Sequence, residues 1–377
     1  MIDFSFTPEQ EIFREMLRRF ALKELLPRYA EGDRHGEYPR EQIKAVIALI
    51  GDRHEGGGPG FIDAGIVAEE VARGDFNCVL PSLGPLAFRE FIKDASPAMK
   101  ARWLPGLQSG DEMIGLCLTE PEAGSDMGSI QTRAARTDDG WVLNGEKNSV
   151  SFLNADVFYV FAHTESSESG WRGLSAFLVS RDTPGLHFHA WDDMGCRAVP
   201  RGQLLLDDVH VPRENLVGRE GGAFPMIREY LDLNRAFIAL KCIGAAQQTL
   251  DETMEYVRGR KQFGTPIAAF QGVAFPIVEA ATLLEAARWL SYRVLWLRER
   301  ELPCDMEGAM VKWWVPKIAG EIIHECLLLH GHYGYTKDLP IEQRLRDVIG
   351  WQIGDGTPQI QKLILARRLL GREFSPR

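Results

Sequence analysis

The chain has 377 residues, 45% of them hydrophobic and 25% charged, with a formal charge of −10. That length admits two or three domains or one composite core, and the balance is that of an ordinary soluble globular protein. The acidic charge argues against nucleic acid as a partner. No apolar run reaches membrane-spanning length, so no membrane association is expected.

Acidic helical sequence begins within Met1–Gln10, so we expect no secretory or transit peptide. The six cysteines, Cys78, Cys117, Cys196, Cys242, Cys304 and Cys326, are scattered without a Cys-x-x-Cys pair. They read as reduced thiols, and a cytoplasmic location is expected.

Thr7-Pro8-Glu9-Gln10 is a helix start with a capping box. Ile12, Phe13, Met16, Leu17 and Phe20 then recur at helical spacing and predict one buried face. A second helix is expected after Pro39, with Ile43, Val46, Ile47 and Ile50 inward. Gly56-Gly57-Gly58-Pro59-Gly60 lacks the Lys-Ser/Thr and the preceding strand of a phosphate loop, and reads as a plain loop. Further helices are expected over Ile62–Arg73, Leu86–Lys93 and Pro97–Leu104. They complete a helical first domain, 1–112.

The period then changes. Trp141–Leu143, Val157–Phe161, Leu174–Val179 and Leu204–Leu206 are short β-type runs punctuated by Gly, Pro, Asp and Ser. They predict a β domain over 113–212. His187 and His189 alternate on one such run; with no third ligand in view they read as a solvated strand face rather than a metal site, and no metal is expected. From Gly222 the chain is helical again. Phe224–Arg258, Gln271–Glu301, Asp305–His330 and Pro358–Leu370 predict a four-helix bundle over 222–371. The fold class expected is α+β.

Two stretches carry chemistry. Leu116–Ser129 begins apolar and extended and breaks at Pro121. Gly124 and Gly128 follow, with the hydroxyls of Thr119, Ser125 and Ser129 beside backbone N–H groups. Such a loop suits a planar, polar-edged cofactor or a phosphate. The second stretch, Ile353-Gly354-Asp355-Gly356-Thr357-Pro358-Gln359-Ile360-Gln361, leads into a helix.

These stretches, with Arg260-Lys261-Gln262-Phe263-Gly264, Phe270-Gln271, Gly334-Tyr335 and Arg346-Asp347, resemble the acyl-CoA dehydrogenase family in identity, order and separation, over essentially the whole chain. The resemblance implies a helical N-terminal domain, a middle β-barrel-like domain and a C-terminal four-helix bundle. It implies FAD as cofactor, an acyl-CoA substrate, an electron-transferring flavoprotein as electron acceptor, and a homotetramer or dimer.

Carried over by position, Leu116, Leu118 and Thr119 would meet the flavin edge, and Ser125 the flavin or CoA phosphates. Ser149 and Ser151 would lie against the ring, with Ser149 lacking the aromatic cover usual there. Arg260 would bind the dinucleotide of a neighbouring subunit, with Gln271, Thr357 and Gln359 as further contacts. Leu328 and His332 depart from the family's usual pattern before Gly334-Tyr335. Asp232 and Arg235 would bind the pantetheine and adenine regions of CoA, and Gly356 the substrate.

Within the same resemblance the catalytic base is Asp355, where most members carry Glu. The family's other base position, before the CoA-binding arginine, is Asn234, which cannot act as a base. Glu120, next to Pro121, is expected to be a structural or surface carboxylate. Gly354 in place of Tyr, the shorter Asp355 and a compact Asn77–Ala95 segment with Pro81 and Pro85 predict a short, branched or alicyclic acyl group. A filling of the vacated space by Trp351 would instead favour a short straight chain. The other readings are an enoyl-CoA reductase or flavin monooxygenase on the same fold, or a catalytically silent flavoprotein.

Overall fold

Thr7 starts the first helix as the capping box predicts: its hydroxyl accepts from Gln10 N at 3.2 Å, and Gln10 Oε1 accepts from Thr7 N at 3.1 Å. The computed structural model describes residues 5–51, 60–84, 86, 93–164 and 167–374. The expected loop at Gly56–Pro59 and most of the expected helix Leu86–Lys93, with Pro85, lie outside the described residues.

Helix α1 (Pro8–Phe20) buries Phe13 and Leu17, whereas Ile12, expected inward, is 71% exposed. A π-helical stretch, Ala21–Leu25, leads into α2 (Leu26–His35). Helix α3 (Arg40–Ile50) buries Ile43, Val46 and Ile50. Helix α4 (Phe61–Gly74) is buried from Asp63 to Gly74 because α1 packs on one side and the C-terminal helices on the other. Helix α5 (Pro97–Ser109) is capped by the Ser96 hydroxyl.

The sheet comprises β1 (Ile114–Cys117), β2 (Arg133–Arg136), β3 (Gly140–Ser151), β4 (Val157–His163), β5 (Leu174–Ser180), β6 (Leu186–Ala190), β7 (Arg201–Pro212) and β8 (Leu216–Val217). Its order is β6-β7-β3-β2-β4-β5-β8, with β1 lying parallel to β4 in the register Leu116↔Tyr159. Every residue of β4 is buried, so it reads as a continuous apolar run rather than an alternating one. His187 and His189 are exposed on β6.

The C-terminal part is built on α6 (Ala223–Gly259), a helix of 37 residues with apolar residues on all sides. It is surrounded by α4, by α7 (Gln271–Glu299) and by α8 (Asp305–Leu329). The short strands β9 (Lys261–Gln262) and β10 (Thr265–Pro266) form a hairpin between α6 and α7.

Two shorter helices follow, α9 (Ile341–Ile353) and α10 (Pro358–Leu369). Helix α9 is absent from the four-helix expectation. Its buried positions include Gln343, Arg344 and Asp347 beside the apolar Ile341 and Val348. One hydrophobic cluster runs from Phe13 through Phe158 to Val348 and joins the helical domain, the sheet and the bundle. The site lies where these three meet.

Candidate active site

The Leu116–Ser129 loop leaves the end of β1, and two consecutive residues of β3 fix it there. Asn148 N donates to Thr119 O at 2.8 Å, and Lys147 Nζ donates to Leu118 O at 3.2 Å. Lys147 is fully buried and also meets Glu120 Oε1 at 2.7 Å. Glu120 further accepts from Thr132 N at 3.0 Å, from Thr132 Oγ1 at 2.5 Å and from Gln131 N. It is therefore a buried structural carboxylate and not a surface one. Burial alone would raise its pKa, but Lys147 and these donors outweigh it and hold the carboxyl below its usual value.

The loop presents Leu116, Leu118, Thr119, Gly124 and Ser125 to a cavity of about 600 Å³. A Cβ at Gly124 would meet nothing within 4 Å, so the backbone there is open to a ligand. Gly128 and Ser129, expected beside it, serve the loop itself. A Cβ at Gly128 would lie 3.3 Å from Trp171 N, and Ser129 Oγ donates to Asp126 at 2.5 Å.

Strand β3 has a register shift against β7 between Lys147 and Val150, and Ser149 takes φ +56° there. Ser149 and Ser151 both reach the cavity. Where aromatic cover is missing at Ser149, the structure supplies a cation. Arg201 Nη1 donates to Ser149 Oγ at 3.1 Å, and its other nitrogens hold Asp193 at 2.6 and 2.7 Å. The buried acceptor Asn148 Oδ1 also lines this cavity with no partner among the described residues. Small residues, open backbone and polar edges on one wall fit a flat, polar-edged cofactor such as a flavin.

The same cavity carries a carboxylate. Asp355 sits in the turn between α9 and α10 with φ +55°, in the left-handed region uncommon for a non-glycine residue. Gly356 follows at φ +97°, where a Cβ would come within 2.4 Å of Gln361 Nε2. Lys312 on α8 holds the turn from below, donating to Trp351 O at 2.9 Å and Gly356 O at 3.1 Å. Thr357 caps α10 by accepting from Ile360 N. Asn234 on α6 donates through Nδ2 to Asp355 Oδ2 at 2.6 Å. The two family base positions therefore meet in space, one holding the carboxylate and the other an amide that orients it.

Arg235, next to Asn234, is buried and pairs with Asp232. Burial pulls its pKa down, and Asp232 opposes this. Its Nε lacks a partner among the described residues. Gly354 also lines the cavity. A Cβ there would lie 3.6 Å from the Trp351 ring, so Trp351 occupies the space beside Gly354.

Among the residues singled out in the sequence, Leu116, Leu118, Thr119, Ser125, Ser149, Ser151, Arg235, Asp355, Gly356 and Thr357 share one cavity. Asp232 reaches it only through Arg235. Arg260 caps α6, Gln271 opens α7 and Gln359 opens α10; all three are exposed and none lines the cavity. Trp351 is where the sequence reading's alternative put it, beside Gly354, whereas Arg201, Lys241 and Lys312 are site residues that sequence reasoning missed. Each of these three is a single residue whose position depends on tertiary contacts.

Comparison with known proteins adds the following. Residues 7–111, 115–209 and 221–370 match the N-terminal, middle and C-terminal domain models of acyl-CoA dehydrogenase. The chain is 32% identical to a short-chain specific acyl-CoA dehydrogenase of Clostridium acetobutylicum, over 98% of this chain and 100% of that protein. It is 35% identical to the NADH-dependent acryloyl-CoA reductase of Anaerotignum propionicum, over 98% and 97% of the two chains. Butyryl-CoA dehydrogenase from Megasphaera elsdenii superposes with a TM-score of 0.91 at 30% identity, over 98% of this chain and all of that one.

Proposed function

The chain belongs to the acyl-CoA dehydrogenase family, and from that premise we propose that it dehydrogenates a short, compact acyl-CoA thioester with Asp355 as the base. It is an FAD-dependent oxidoreductase acting on acyl-CoA. The single observation that carries the assignment of the base is the 2.6 Å hydrogen bond from Asn234 to Asp355 in the cavity shared with the Leu116–Ser125 loop.

When bound, the flavin supplies a hydride acceptor for the β-carbon. The chain supplies the rest. Leu116, Leu118, Thr119 and Ser151 would hold the ring edge, and Arg201 with Ser149 would set a fixed cation beside it. Asp355 takes the α-proton. Its carboxylate is held by the Asn234 amide and by a turn that Lys312 ties at two carbonyls, which offsets the reach lost relative to a glutamate. The Arg235 guanidinium, whose Nε has no partner among the described residues, would meet the polar portion of the CoA thioester. Electrons leave to an electron-transferring flavoprotein.

The acyl group is short because Trp351 fills the width that Gly354 opens, while Leu80 and Leu83 also line the cavity. The assay is kcat/KM for butyryl-, isobutyryl-, cyclohexanecarboxyl- and octanoyl-CoA with an artificial electron acceptor. A compact acyl group is expected to exceed octanoyl-CoA by at least tenfold. A preference for octanoyl-CoA sinks the substrate assignment and leaves the dehydrogenase intact. Enoyl-CoA reduction with NADH, with no acyl-CoA oxidation, would show instead that the reaction runs in the direction of the reductase relative.

The dinucleotide site is completed by a second subunit in this reading. Arg260 sits at the exposed end of α6, and Phe263 in the following hairpin is 95% exposed, with Phe275 and Val278 also exposed on α7. Apolar side chains exposed this close together mark a surface that a partner covers. Light scattering is expected to give a dimer or tetramer with one FAD per subunit. Arg260→Ala is expected to weaken FAD retention at least tenfold, because a guanidinium fork holds two phosphate oxygens at once. A monomer that keeps its full FAD would contradict this.

A further inference from the structure

Lys241 lies on α6 seven residues beyond Asn234, roughly 10 Å along the axis. It is the residue of α6 farthest beyond Asn234 to line the cavity. Long helical side chains lean back toward the helix N-terminus, so its head is directed toward Asn234 and Asp355. Lys241 is only 1% exposed, and its ammonium has no hydrogen bond or ion pair to any described residue. It rests instead 3.1 Å from the centroid of the Trp351 ring and 4.6 Å from that of Phe76.

The other two fully buried lysines are treated differently. Lys147 meets Glu120 and Leu118 O, and Lys312 meets Trp351 O and Gly356 O. Three donors without an acceptor in a buried place are costly, and aromatic faces return only part of that cost. Burial pushes the Lys241 ammonium down to about 8, which still leaves it mostly charged at neutral pH. The acidic groups acting on it are Asp355 and Asp347, with Cys196 and Cys242 also near. Asp347 is already engaged by Tyr29, Asn77 and Cys196 N, and Asp355 by Asn234.

We propose that Lys241 recognises a carboxylate at the far end of the acyl group, so that the substrate is a short dicarboxylic acyl thioester rather than a wholly apolar one. This rests on the acyl-CoA dehydrogenase reading of the same cavity and narrows its substrate. A carboxylate there would make the charge-assisted hydrogen bond that no described protein group makes. An alkyl tail would leave the ammonium unsatisfied against the aromatic rings.

The test uses the FAD-loaded enzyme and three pairs matched in carbon number: succinyl- and butyryl-CoA, glutaryl- and pentanoyl-CoA, adipyl- and hexanoyl-CoA. In at least one pair the wild type is expected to favour the diacid in kcat/KM by tenfold or more. Lys241→Met, which keeps most of the side chain's length and removes the charge, is expected to lower that ratio at least tenfold. Preference for the alkyl partner in all three pairs of the wild type overturns the proposal, whatever the fate of the variant. So does a ratio that Lys241→Met leaves unchanged. If neither these six thioesters nor isobutyryl-, cyclohexanecarboxyl- and octanoyl-CoA reduce the flavin, the dehydrogenase reading itself fails, a result distinct from both.

Discussion

Asp355→Asn is expected to lower kcat by about 10²–10⁴-fold, the usual contribution of a positioned general base, while FAD content stays at the wild-type level. Asparagine preserves the shape of the side chain and the hydrogen bond from Asn234, so the loss reports the missing proton acceptor. The neighbouring amide gives this experiment a second arm. Asn234 Nδ2 lies 2.6 Å from Asp355 Oδ2, so a carboxylate at either position reaches the same space. Asn234→Asp in the Asp355→Asn background is therefore expected to restore part of the activity.

The single variant Asn234→Asp places two carboxyl groups within hydrogen-bond distance, where both cannot ionise cheaply. One of them should hold a proton at neutral pH, and the rising limb of the kcat/KM profile should move to higher pH. Stopped-flow flavin reduction with the wild type's best acyl-CoA, run across pH on all four proteins, measures this. Turnover of Asp355→Asn within a few-fold of wild type would remove Asp355 as the base.

Much of this arrangement was legible in the sequence because it rests on local patterns. The switch from helical to alternating spacing near Met113 marks where the sheet begins, and Thr7, Ser96 and Thr357 announce helix starts by their own capping chemistry. The loop and the Asp355 turn are contiguous, so their residues travel together.

What was not legible depends on partners far away in sequence. Helix α9 buries Gln343, Arg344 and Asp347 beside Ile341 and Val348, and polar residues buried by distant partners carry no hydrophobic signal of their own. Asp347 is buried because Tyr29 donates to it at 2.6 Å and Asn77 at 3.1 Å; burial pushes its carboxyl up to about 6. Nothing near Asp347 in the chain signals either donor. Ile12 has the spacing of a core residue but the surface of a solvent-facing one, since α4 covers only one side of α1. Arg201 reads as a strand-end arginine until β7 pairs with β3 and brings it to Ser149.

Glu120→Gln is expected to destabilise the protein by about 3 kcal/mol and to release FAD. The carboxylate accepts from Lys147, Thr132 and Gln131, and Lys147 is wholly buried. Removing one partner of a buried pair leaves an uncompensated charge, at a cost of about 3–5 kcal/mol. Replacing both by apolar groups of similar size spares that charge. Glu120→Leu/Lys147→Met should therefore recover a large part of the stability lost in Glu120→Gln, although Thr132 and Gln131 lose an acceptor.

The same pair predicts a pH dependence. Glu120 titrates below its unfolded value of about 4.3, so its contribution is complete above that pH and is lost as the pH falls through the lower folded value. Urea midpoints at pH 7 and pH 4 would test this, with flavin absorbance after gel filtration reporting the loop. The wild type should lose more stability between the two pH values than the double variant does. Because Lys147 and Glu120 hold Leu118 O and the start of the Glu120–Ala123 turn, the loop should loosen at low pH before the helices unfold. If Glu120→Gln keeps its FAD and unfolds within about 0.5 kcal/mol of wild type, the ion pair does not anchor the cofactor loop.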